Sequence, residues 1–194
     1  MLKFIRAIDA LSESLGQCFG WTVLVLTAGT CWEVFRRYFL NDPTAWAFDM
    51  SYVLYGALFL MSGAYTLSKN GHVRGDFLYR KWQPANQARV DLALYIVFYF
   101  PGVLALVFSG YLYGAEATKI GEVSVNSPVG VPIWPLKLII FVAGCSLLLQ
   151  GLAEVCRCLL TIRDNAWPAR GDDVVEMEEA LLKAHEAKTE GART

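Results

Sequence analysis

Four stretches of this 194-residue chain run without a single charge: residues 15–32, 50–68, 92–115 and 138–153. Each is close to the roughly 20 residues that carry a helix across a hydrocarbon core of about 30 Å. The runs are apolar on every side, whereas a helix on the surface of a soluble bundle alternates apolar and polar faces with a period of 3.6. The pattern therefore predicts an all-α integral membrane protein with four transmembrane helices, at 15–38, 45–68, 91–115 and 131–155. The fourth run is short. Residues 130–134 are uncharged as well, however, and Lys137 can carry its ammonium toward the headgroups along its own apolar stem.

Composition agrees. The chain is 55% hydrophobic and 18% charged with a mean hydropathy of +0.38, too apolar for a soluble domain of this length. Lys3 and Arg6 precede the first run as in a signal peptide, but Asp9 and Glu13 interrupt the approach. The run is also longer than a signal core, and Arg36 and Arg37 end it, which predicts an uncleaved first helix. Phe4, Ile8, Leu11 and Leu15 recur at helical spacing, a stripe suited to lying in the membrane interface before the chain turns in. Of five cysteines, Cys156 and Cys158 are two apart and point in different directions, with no second pair at metal spacing. They are expected to act as small apolar side chains, and no metal or cofactor is implied.

Basic residues orient the spans, because short loops rich in Lys and Arg stay in the cytoplasm. Lys3 and Arg6, then Lys69, Arg74, Arg80, Lys81 and Arg89, then Arg157, Arg163 and Arg170 make ten on one side. Arg36, Arg37, Lys119 and Lys137 make four on the other, so both termini are expected in the cytoplasm. The stretch SKNGHVRGDFLYRKWQ, residues 68–83, is thus a topology anchor between two spans, not a phosphate patch for nucleic acid. Its cations also suit anionic headgroups, each contributing on the order of 1 kcal/mol. Phe77, Leu78 and Trp82, between Asp76 as a cap and Pro84 as a breaker, suit a short amphipathic helix in the interface. His72 has no second histidine or carboxylate cluster beside it and is expected to be solvated or interfacial.

Ionisable groups near spans are costly unless paired, so they mark function or helix pairing. Glu33, Arg36, Arg37 and Asp49 lie around the short link FLNDPTAW and are expected to form an ion-pair network holding two helices, or a partner-contact site. Asp42 followed by Pro43 has the form of a helix start. Tyr52, Tyr55, Phe59, Ser62 and Thr66 share one face of the second span, as packing residues do. Small residues recur at close-approach spacing: Gly56 and Gly63, Ala57 and Ala64, Gly110 and Gly114, Gly144 and Gly151. Pro101 with Gly102 is expected to bend the third helix.

No phosphate-binding glycine loop, paired histidines or nucleophile with a base stands at a spacing that suggests an enzyme. Duplicated halves with broken helices, from which self-sufficient carriers build a central site, are absent too. Four spans without a site point to an accessory subunit.

Three motifs in order carry a resemblance. They are Arg37, Tyr38, Asn41, Trp46 and Asp49 around the first link; His72, Val73, Arg74, Asp76 and Leu78 in the second; and Ser127, Pro128, Pro132 and Trp134 in the third. Over roughly residues 1–163 the chain resembles the small, four-helix membrane subunit of tripartite ATP-independent periplasmic (TRAP) transporters. The resemblance implies partners: a large membrane subunit carrying substrate and sodium sites, and a periplasmic binding protein that delivers an organic acid. It implies the bacterial inner membrane as location and a scaffold role for this chain, which would hold no substrate itself. A free-standing membrane protein, working as a homo-oligomeric channel or carrier or anchoring an electron-transfer complex, is the alternative.

Residues 164–194 change character, with eight acidic against four basic residues. Val174, Met177, Leu181 and His185 share a helical stripe behind Asp172 and Asp173, so this cytoplasmic tail is expected to be a solvated, frayed helix or a docking segment.

Overall fold

The computed structural model describes residues 1–72, 79 and 82–168. The expected interfacial helix around Arg74, Asp76, Phe77, Leu78, Arg80 and Lys81, and the tail from residue 169 onward, lie outside the described residues.

Among the described residues the elements are helices: α1 (Leu2–Gly20), α2 (Thr22–Phe39), α3 (Ala47–Ser68), α4 (Pro84–Leu94), α5 (Phe100–Ile120) and α6 (Trp134–Asp164). A π-helical turn, Tyr95–Tyr99, joins α4 to α5, and Trp21 alone separates α1 from α2. Four rods result that are long and apolar enough to cross a membrane: Leu2–Phe39, Ala47–Ser68, Pro84–Ile120 and Trp134–Asp164. At 1.5 Å per residue the rods of 38, 37 and 31 residues measure about 57, 55 and 46 Å. That exceeds a hydrocarbon core of about 30 Å, so these three rods must tilt or extend past it.

The spine is α6, which packs against α1, α3, α4 and α5. Lipid tails are as apolar as leucine, so helices in a membrane associate by close packing and hydrogen bonds rather than by the hydrophobic effect. The paired small residues supply that packing, and they pack within the chain. Gly110 and Gly114 of α5 meet Phe141 and Leu138 of α6, where an added Cβ at Gly110 would lie 3.1 Å from the Phe141 backbone. Gly144 of α6 answers against Val107 of α5, while Gly56 and Gly63 of α3 face Leu136 and Leu147 of α6. The stripe of Tyr52, Tyr55 and Phe59 instead points out of the chain.

The π turn has a covalent cause. Pro101 has no N–H to offer the carbonyl four residues back, so the ladder slips, and the Phe100 N–H donates to the Tyr95 carbonyl five residues back. The slip aims Tyr99 at α6, where its hydroxyl donates to the Leu147 carbonyl at 2.8 Å. Gly151 clears the space, since a Cβ there would lie 2.3 Å from the Tyr99 ring.

On α1 the inward face is Ile5, Ile8 and Ser12, with Ile5 and Ile8 packed against Ala153 and Leu160, while Phe4 and Leu11 of the apolar stripe face out of the chain. One local expectation changes, at the first link: Asp42 and Pro43 do not start a helix. α3 begins at Ala47 without a side-chain cap, and Asp42 turns back to pair with Arg36.

Candidate functional site

Polar side chains gather at the two ends of the bundle. At the end holding the α2–α3 link, Glu33 accepts hydrogen bonds from Arg37 at 2.7 Å and from the Thr44 N–H at 3.0 Å, and also from the Thr44 hydroxyl. Asn41, left-handed at φ 51, closes α2, and the Asp42 N–H returns to the Arg36 carbonyl at 3.2 Å. The link is thereby tied to the helix it leaves.

Asp49 does not join this network, contrary to the expectation from its position in the chain. It is completely buried in the first turn of α3 and accepts hydrogen bonds from the hydroxyls of Ser124, at 2.7 Å, and Ser127, at 2.5 Å. Both serines sit on the loop between α5 and α6. In that loop the Ser124 N–H donates to the Val131 carbonyl at 2.7 Å and the Ile133 N–H to the Glu122 carbonyl at 3.1 Å, pairing the two arms as a hairpin. Pro132 bridges to Val123 and Pro128 is exposed near the tip, while Trp134, half-buried, opens α6. Lys137 Nζ reaches back to Glu122 Oε1 at 2.6 Å and lies 3.8 Å from the centre of the Tyr113 ring.

At the other end lies a cluster that the spacing of charges did not reveal. Gln150, Glu154 and Arg157 of α6 are buried, and Arg157 pairs with both Glu154 and Asp9 of α1. The Gln150 amide donates to Asp9 at 2.9 Å and accepts from the Ser12 hydroxyl at 2.8 Å. Arg157, counted among the basic residues beyond the last span, is instead inside a helix that continues to Asp164, with 4% of its side chain exposed. A signal was present: Ser146, Gln150, Glu154, Arg157 and Thr161 recur at i, i+4, i+8, i+11 and i+15 along an otherwise apolar stretch. On the same side, Lys69 pairs with Glu13 of α1 at 3.2 Å, His72 is exposed just past α3, and Trp82 is exposed before α4.

Among the described residues no buried side-chain nitrogen or oxygen lacks a hydrogen-bond partner. Asp49, Gln150 and Arg157 join helix to loop or helix to helix, while the hydroxyls of Ser68, Ser146 and Thr161 donate to carbonyls of their own helices. A groove of about 490 Å³ between α2 and α3, lined by Leu26, Gly29, Ala47, Met50, Ser51 and Leu54, is apolar and suits acyl chains or a neighbouring helix better than a charged solute.

No curated protein matches the chain. A family model described as "Tripartite ATP-independent periplasmic transporters, DctQ component" matches residues 26–161, from the second turn of α2 to the last turn of α6. With four apolar rods packed through their glycines and polar residues spent on internal ties, the chain belongs to that family, the small permease components of TRAP transporters, which are transporter parts and not enzymes.

Proposed function

We propose that this chain is the scaffold subunit of a sodium-driven importer of an organic acid, in the bacterial inner membrane with both termini in the cytoplasm. It pairs there with a large membrane subunit that carries the substrate and sodium sites, and a periplasmic binding protein delivers the acid. The observation that carries this reading is the inward satisfaction of every described buried polar side chain, which leaves no described buried group unpaired to receive a passing solute. The surplus of basic residues at the end bearing Lys3, Arg6, Lys69, Arg89 and Arg163 supports the orientation. The reporter test is direct: a cytoplasmic reporter fused after Arg163 is active and one inserted near Ser124 is silent.

Affinity purification in mild detergent tests the assembly, and a large polytopic protein is expected to accompany the chain. Proteoliposomes holding both membrane subunits should take up the acid only with a sodium gradient and the binding protein. Uptake by this chain alone would overturn the scaffold role.

A further inference from the structure

The loop between α5 and α6 is tied down from its base to the serines of its tip. Gly121 ends α5 at φ +60 and Gly130 turns the chain at φ +66, conformations that side chains with a Cβ rarely adopt. Two backbone hydrogen bonds pair the arms, the Glu122–Lys137 contact holds the base, and the buried Asp49 carboxylate takes the hydroxyls of Ser124 and Ser127. What this frame holds outward is apolar: Val125 is 97% exposed and Val129 60% exposed, with Pro128 exposed between them. A lone exposed valine is ordinary. Here the loop turns its serines inward to a buried carboxylate and holds Val125 and Val129 outward, the reverse of what a solvated tip needs.

We propose that the Val125–Val129 tip is a docking point for the soluble, substrate-carrying periplasmic component. This rests on the orientation and assembly proposed above. The hairpin joins the ends of two adjacent spans, so its tip lies at the end of the bundle, not on the lateral faces that meet lipid or a second membrane subunit. Loops that dip into headgroups carry Trp, Tyr or basic residues, and residues 123–132, VSVNSPVGVP, contain none. An apolar centre beside neutral polar groups, Asn126 and Ser127, has the make-up of a protein interface core with its rim. A tip already held in shape also loses little conformational freedom on docking.

The test titrates the binding protein against uptake by proteoliposomes containing both membrane subunits. Co-purification of the unaltered subunits is scored first: its absence overturns the assembly reading and the tip with it. Val125→Asp and Val129→Asp change exposed side chains, so both should co-purify normally. Each should raise the binding-protein concentration for half-maximal uptake roughly tenfold and leave the maximal rate and sodium dependence unchanged. A photo-reactive residue at position 125 should couple to the binding protein during uptake. Normal co-purification with an unshifted titration, or coupling to lipid or to the large membrane subunit, would overturn the tip alone.

Discussion

The two polar clusters bury carboxylates in opposite ways. Asp49 meets uncharged donors, the hydroxyls of Ser124 and Ser127, and ties a helix to a loop. Asp9 and Glu154 meet a cation, Arg157, and tie one helix to another across 148 residues of chain. A hydroxyl that loses its acceptor can rotate toward a backbone carbonyl or water. A buried charge that loses its counter-charge has no such recourse, so the Arg157 cluster is the costlier one to break.

Arg157→Met should accordingly have the largest effect, about 3–5 kcal/mol of stability, because it leaves Asp9 and Glu154 without their cation. The read-out is thermal unfolding in detergent together with the amount of protein in the membrane. Adding Asp9→Asn and Glu154→Gln to Arg157→Met should recover part of the loss. If the single variant is as stable as the unaltered chain, the contrast between the clusters collapses.

Next comes Gly151→Ala, which drives a methyl into the Tyr99 ring and should displace its hydroxyl from the Leu147 carbonyl. Overpacking of this kind costs about 1–3 kcal/mol. Tyr99→Phe, which removes only the hydrogen bond, should cost about 1 kcal/mol. Equal losses in the two variants would mean that the ring, in either case, is not held by α6.

Asp49→Ala should cost about 1–2 kcal/mol and Asp49→Asn less, since the amide keeps one acceptor oxygen. Cysteine accessibility at position 125 should change in the alanine variant. Unchanged accessibility there would show that the hairpin holds its shape without the carboxylate.

Arg36→Ala comes last, within about 0.5 kcal/mol, because its pair with Asp42 is exposed. Glu33→Ala should exceed it, since Glu33 also holds Thr44, and should leave the sodium dependence of the assembled complex unchanged. A shifted sodium dependence would place this cluster in the transport path.

Some of the site was legible because its partners are close in sequence. Glu33 and Arg37 are four residues apart, a spacing that pairs on any helix, and the structure pairs them. Asp49 was legible as a notable residue but not as a clasp, since Ser124 and Ser127 lie 75 and 78 residues away. Arg157 read as a loop cation because the apolar run ends at residue 153, and nothing along the chain shows that α1 will cover the next turns.

The amino-acid sequence by itself determined that the chain enters a membrane, that it does so four times, and which family it joins. Solvent choice is set segment by segment, by how many apolar residues follow one another, and that is written in one dimension. Only the tertiary structure decided which face of each helix turns inward, that the glycines meet one another's helices, and which donors each buried carboxylate takes. Those outcomes depend on groups 48 to 148 residues apart in the chain converging within about 3 Å, a condition that helix packing imposes and local pattern does not contain.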